Sequence, residues 1–118
     1  MNEKQPIGTC PPYLISNAVL DTVHAAMSED VKRTSGLFKL LSDPIRLHIL
    51  KALEVQDLCV CVLVEVTDYK HSALSYHLKL LKDANLVDSK RDKSFQIYFL
   101  TVFGRSLIGL LEKEFKNL

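Results

Sequence analysis

Apolar residues recur at helical spacing along most of this chain and at strand spacing in one short stretch. Between Tyr13 and Met27 the apolar positions are 15, 19, 20, 23, 26 and 27, which predicts a short first helix. Ser28, Glu29 and Asp30 predict the start of a second. The serine can cap free amides, and the two acids suit the positive end of the helix dipole. Val31, Leu37, Phe38 and Leu41 form its apolar side. Ser42-Asp43-Pro44 breaks the pattern. Asp43 is suited to cap a third helix, and Pro44 to its first turn, where no amide donor is needed. That helix runs to about Glu54, with Ile45, Ile49, Leu50 and Leu53 inward.

Asp57 is expected to cap a fourth helix, from Leu58 to about Val66, and Thr67 to Lys70 form a tight turn. A fifth helix follows from His71 to about Ala84, with Leu74, Leu78 and Leu81 along one side. Asn85 suits its end, because asparagine tolerates the left-handed conformation used there. The period then changes. Leu86 to Lys90 and Phe95 to Leu100 read as two strands, joined through the polar tip Arg91-Asp92-Lys93-Ser94 as a hairpin. Gly104 to Phe115 closes the chain as an amphipathic helix, with Leu107, Leu110, Leu111 and Phe115 on one side.

Residues 1–12 hold Pro6, Gly8, Pro11 and Pro12 and read as a flexible N-terminal arm; residues 13–118 read as one domain. Short helix, tight turn, second helix, then a basic hairpin is the order of a winged helix-turn-helix. The fold class expected is therefore mostly α with a small β-hairpin wing. In that architecture the second helix enters the major groove of double-stranded DNA and its early residues meet base edges.

Composition is that of an ordinary soluble protein, with 47% hydrophobic and 25% charged residues among 118. No apolar run is long enough for a membrane span, and the polar N-terminus has no signal core, so a cytoplasmic location is expected, with no membrane partner. The net charge of +1 hides a split. Lys70 to Lys93 carries six Lys/Arg against three Asp, whereas the remainder carries nine basic against eleven acidic residues. Local clustering of this kind is what phosphate binding uses. With Leu74, Leu78 and Leu81 inward, the opposite side of the fifth helix presents His71, Ser72, Ser75, Tyr76 and Lys79 as candidate DNA contacts. Lys90, Arg91 and Lys93 can reach flanking phosphate or the minor groove from the hairpin. An enzyme is not expected: there is no glycine-rich phosphate loop, no paired-histidine metalloprotease motif and no Gly-x-Ser-x-Gly.

Three motifs in order resemble the ArsR/SmtB repressors. Residues 41–50, LSDPIRLHIL, are similar to that family's "LadPtRlrIL"; residues 57–61, DLCVC, to its "ELCVCDL" metal box; and residues 72–81, SALSYHLKLL, to its recognition helix. Residues 84–87, ANLV, stand where the family writes "AGLV". The resemblance implies a homodimeric repressor on operator DNA, with terminal helices at the interface and two recognition helices in successive major grooves. Asp68 and Asn85 replace frequent turn glycines, and both can adopt positive φ. Val62 replaces the acid of the metal box, which removes a hard oxygen ligand.

Three cysteines in a reducing compartment suit thiols or ligands better than a disulfide framework. Cys59 and Cys61 stand two apart near the expected start of the fourth helix, a place that favours thiolate. Residues so spaced do not share a face of a regular helix, so one ion can meet both only at the helix end or through a distorted first turn. Cys10 lies in the arm; in the sensors this chain resembles, an arm cysteine from the opposite protomer joins the pair, which makes Cys10 the counterpart. Three thiolates suit thiophilic effectors: arsenite or antimonite, or cadmium or lead, with His24 or water as a further ligand of the latter two. No cofactor is needed for folding. The last helix has no His or Cys, so the C-terminal zinc site of some family members is absent, and His48 is expected beside the core. A thiol-redox switch with Cys10 pairing Cys59 or Cys61, and cysteines of purely structural role, remain the alternatives.

Overall fold

The computed structural model describes residues 15–115; the N-terminal arm, with Cys10, lies outside the described residues. The chain divides into two compact units, one ending at Arg33 and one beginning at Thr34.

In the first unit, helix α1 (Asn17–Met27) is capped by Ser16, whose hydroxyl accepts from the Val19 amide at 3.2 Å. None of its residues is buried. Ser28 does not open the next helix, as the sequence suggested. It closes α1 instead, its hydroxyl donating to the His24 carbonyl at 2.9 Å, the back-bonding that short hydroxyl side chains offer a preceding turn. The start of α2 (Lys32–Leu41) is held by Asp30, whose Oδ1 accepts from the Lys32 amide at 3.0 Å.

The second unit has one core. The part of α2 within it contributes buried Leu41 and half-buried Leu37 and Leu40, while Phe38, expected inward, is exposed. Helix α3 (Pro44–Val55) begins as expected, with Asp43 Oδ1 accepting from the Ile45 amide at 2.9 Å and Pro44 in the first turn. It buries Ile49, Leu50 and Leu53. The next element departs from expectation. Leu58 and Cys59 form a two-residue strand, β1, and helix α4 (Val60–Val66) starts only afterwards, with Cys59 rather than Asp57 at its cap position. Asp57 instead stands 3.9 Å from the Lys90 ammonium. The cause is sheet pairing: β1 lies antiparallel to the second hairpin strand, with Leu58 opposite Tyr98 and Cys59 opposite Ile97.

Helix α5 (His71–Asp83) buries Leu74, Leu78 and Leu81. It ends at Asn85, whose φ of 63° is the left-handed turn expected there. Asp68 does not take positive φ; its turn closes through Thr67, whose hydroxyl accepts from the Tyr69 amide at 3.2 Å. Strands β2 (Val87–Asp92) and β3 (Phe95–Leu100) pair so that Asp92 faces Phe95. The tip is therefore only Lys93 and Ser94, and Lys93 takes the positive φ, 58°, of a two-residue hairpin loop. The sheet order is β1-β3-β2, one strand more than the sequence showed.

Helix α6 (Val102–Glu114) is capped by Thr101. The Thr101 hydroxyl accepts from the Gly104 amide at 2.9 Å and donates to the Asn85 carbonyl at 2.6 Å. Its amide donates to the Leu86 carbonyl at 3.1 Å, which docks α6 on the turn after α5. Of the expected apolar side, Leu107 and Leu111 pack against the core, but Leu110 and Phe115 are exposed. The architecture is a winged helix-turn-helix: α4, turn and α5 form the motif, and β2–β3 the wing. No helix of the described residues is long and apolar enough to cross a membrane.

Helices α3 and α6 are joined by Lys51 and Glu112 at 3.1 Å. Beside them, partial burial and then the nearby Glu112 carboxylate raise the affinity of Glu54 for a proton. The Lys51 ammonium lowers that of Glu112. A carboxyl raised in the fold contributes stability only below its ordinary value, and that contribution is lost as pH rises through the raised one. Glu54→Gln keeps the shape of the side chain without the charge. It should raise the melting temperature at neutral pH, and the gain should vanish by about pH 4, where the wild-type group is largely protonated in both states. Thermal melts across that range check this; a gain that persists in acid would contradict it.

Candidate functional site

Once the leucines of α5 turn inward, its other side is fixed. His71, Ser72, Tyr76 and Lys79 are exposed, and Ser75 is half-buried. The Ser75 hydroxyl lies 3.3 Å from His71 Nδ1, one turn back along the same face. Lys79 pairs with Asp83 at 3.2 Å, an exposed contact that contributes little and yields readily to another anion. On the wing, Lys90 lies near Asp57 and 5.7 Å from the centroid of the Phe99 ring. Arg91 and Lys93 are exposed and have no carboxylate partner among the described residues. Lys82 is drawn to Asp88 at 3.7 Å and donates to the Ser89 hydroxyl at 3.1 Å, which ties α5 to β2.

His77 is not part of that exposed side. It is buried, and Arg46 Nε donates to its Nδ1 at 3.1 Å. A guanidinium has no lone pair to offer, so His77 Nδ1 is the acceptor and a neutral ring carries its hydrogen on Nε2. The same guanidinium donates to the Leu40 carbonyl at 3.1 Å. Arg46 therefore fastens the end of α2 and the start of α3 to the middle of α5. The sequence offered this pair only as letters in two motifs 31 residues apart.

The cysteines are placed by β1. Cys59 is extended, with φ −86° and ψ 161°, and Cys61 lies in the first turn of α4. Their Cα atoms are 5.3 Å apart and their sulfurs are joined as a disulfide, where free thiols were expected. Of the two expected routes to convergence, the helix end and a distorted first turn, the pair takes the first. One cysteine lies outside the helix, so the two side chains converge with α4 undisturbed. Cys10, the third expected ligand, lies outside the described residues. Among the described residues no three His, Cys, Asp or Glu side chains gather around one point where an ion could sit. His24 is exposed in the last turn of α1. His48 is exposed rather than packed beside the core, on the rim of a small apolar cavity of about 170 Å³.

Both cysteines open onto a cleft of about 370 Å³. Its other walls are His71 and Ser75 from α5, and Ser94, Phe95, Gln96 and Tyr98 from the wing. The cysteine pair, the start of the candidate reading helix and the wing thus share one cavity. Phe95 and Gln96 had no role in the sequence reading. Their signal was the strand period, which puts Gln96 and Tyr98 on one face of β3, with Leu58 opposite Tyr98.

The family model of the bacterial regulatory proteins of the arsR family matches residues 43–89. The cadmium resistance transcriptional regulatory protein CadC of Listeria innocua is 40% identical over 85 residues, 68% of this chain and 71% of that one. The arsenical resistance operon repressor of Bacillus subtilis is 38% identical over 88 residues, 74% of this chain and 82% of that one. Among solved structures, reduced HlyU from Vibrio cholerae superposes with a TM-score of 0.66 at 27% identity, covering 78% of this chain and 98% of that one. These relatives are regulators and not enzymes. The matched segment runs from the Asp43 cap through the cysteine pair and α5 into the wing, and the chain belongs to the ArsR family of bacterial regulatory proteins.

Proposed function

We propose that this chain is a homodimeric transcriptional repressor that leaves its operator when a thiophilic ion binds Cys59, Cys61 and Cys10. His71, Ser72, Ser75 and Tyr76 read base edges from α5, and Lys79, Lys90, Arg91 and Lys93 meet phosphate. A second copy covers apolar side chains that one chain leaves in solvent, among them Val19, Val23 and Met27 on α1 and Val102, Leu110 and Phe115 on α6. Dimerisation doubles the basic segment and supplies the two reading helices that a two-fold operator needs.

The observation that carries the sensing part is the shared cleft. An ion held by the reduced pair sits against His71 and Ser75 and displaces β1, which is paired directly to wing strand β3. Both DNA-contacting elements border the site, so occupancy and DNA binding compete. The donors suit arsenite, antimonite, cadmium or lead, since sulfur ligands select soft ions and Val62 offers no carboxylate. The names of the relatives, cadmium and arsenical resistance regulators, support the same class.

The test is a gel-shift titration of the reduced full chain on the DNA flanking its own gene. Each of the four ions is expected to weaken binding by roughly tenfold to a few hundredfold if it is an effector. Unchanged affinity at saturating ion, for all four, would reject the sensor.

The joined sulfurs favour a second reading, a redox switch. The pair concerned would be Cys59 with Cys61 rather than either with Cys10. An oxidant that releases DNA with no metal present, and release reversed by a thiol reductant, would favour it over the first.

A further inference from the structure

Apart from the cysteine cleft, the second unit holds a cavity of about 170 Å³ walled by α3, α4, the turn between α4 and α5, and the start of α5. Ile49, Leu63 and Leu74, all buried, line it on the core side. His48 and Val66, both exposed, and half-buried Tyr69 stand toward its mouth. No carboxylate, ammonium or guanidinium is among its walls. The Thr67 hydroxyl is already spent on the backbone, donating to the Leu63 carbonyl at 2.7 Å and accepting from the Tyr69 amide at 3.2 Å.

Water gains little in such a space, because it finds few polar partners there. Protein interiors pack closely, and an apolar void of about 150 Å³ stays dry and accepts a benzene ring when one is offered. We infer that this cavity binds a neutral one-ring aromatic molecule. Its ring lies against Ile49, Leu63 and Leu74, and its polar substituent stands at the mouth beside His48. A ring bearing a carboxylate is excluded, since no cationic side chain in the walls offsets a buried negative charge. The site is separate from the cysteine pair and stands whether or not an ion is the effector.

The occupant also bears on DNA. It touches both helices of the motif and the turn that joins them, and Leu74 follows His71 by one turn of α5. A ring pressing on Leu74 from the core side tilts the early part of α5, and operator binding weakens. This step rests on the base-reading role proposed above for α5.

The experiment uses the reduced full chain with phenol, toluene and benzoate as probes. Binding is read by NMR without DNA, through contacts from ring protons to the methyl groups of Ile49, Leu63 and Leu74. Phenol and toluene are expected to bind with a Kd of roughly 1 mM or below, and benzoate not to bind. His48→Ala should lower the phenol-to-toluene affinity ratio by roughly twofold to tenfold, the scale of one hydrogen bond. Ala52→Leu extends a side chain from α3 into the space and should weaken both rings by about tenfold or more. Val66→Phe, at an exposed position where folding is not at stake, should do the same by tethering a ring over the mouth. No saturable binding up to about 10 mM overturns the proposal, and is the result expected if a second copy or another part of the chain fills the cavity. Undiminished binding in both filled variants overturns it too, and an unchanged ratio in His48→Ala overturns the placement of the substituent. With the cavity saturated, operator affinity should fall by roughly tenfold in the wild type and stay unmoved in Ala52→Leu. Saturation without that fall overturns the release step, whereas a chain that binds no operator even with the cavity empty would sink the repressor reading and leave the site standing.

Discussion

Gly104→Ala is expected to destabilise the fold by about 3 kcal/mol, at the upper end of the usual cost of overpacking a core. A Cβ on Gly104 would run into the carbonyl oxygen and carbon of Leu86. These are backbone atoms, so no side-chain rotation can clear them. The Leu86 carbonyl also accepts the Thr101 amide at 3.1 Å, and Thr101 caps α6 through the Gly104 amide. Moving the carbonyl away breaks the dock between α6 and the turn after α5. A drop of this size should lower the melting temperature by roughly 10 °C or more. Gly109, on the same helix, is the control: an added Cβ there meets nothing within 4 Å. Gly109→Ala should be neutral or stabilising by up to about 1 kcal/mol, from helix propensity alone. Urea melts of the two variants decide the matter. Equal stability would mean that α6 does not approach Leu86 as closely as described.

That close approach was not legible in the sequence, where Gly104 served only to mark the start of a helix. What was legible is what local chemistry decides. Asp43-Pro44 starts α3, Asn85 ends α5 with positive φ, and the leucines of α5 face inward, each dictated by residues a few positions apart. The errors arose where a distant partner overrode a local preference. Asp57 is a good cap, yet pairing of Leu58 and Cys59 with β3, about 40 residues away, delays the helix by two positions. Ser28 is equally good at closing one helix and opening another, and Asp30 decided which. Phe38, Leu110 and Phe115 follow a helical period but are left exposed by the described residues. His77 stands in the sequence only as one letter of the recognition-helix motif, and its partner Arg46, 31 residues away, is visible only in the fold. For the site, residue types were readable and convergence was not. The motifs pointed to Cys59, Cys61 and His71, but only the fold shows that they line one cleft.

The delayed start of α4 bears directly on how an effector would act, and on the second large effect expected. Had the pair converged through a distorted first turn, the other route open to residues so spaced, the response would have come from strain in the helix. With Cys59 on β1, the pair converges without strain, and the response must come from what the occupant touches: His71, Ser75 and the strand paired to the wing. Cys59→Ser and Cys61→Ser, singly or together, should therefore abolish the ion response, because a hydroxyl of nearly the same shape removes a soft ligand that the three-sulfur site needs. The quantity to measure is the ratio of operator affinity with and without ion, which a shift in basal affinity does not move. It should fall from between roughly tenfold and a few hundredfold in the wild type to about one in each variant. His71→Ala separates the two mechanisms. If coupling ran through strain in α4, the ratio would survive this substitution whatever happened to basal affinity. If it runs through the shared cleft, the ratio should shrink even though both sulfurs still bind the ion. A full ratio in His71→Ala, with ion occupancy confirmed by thiolate charge-transfer absorbance, would return the coupling to the helix.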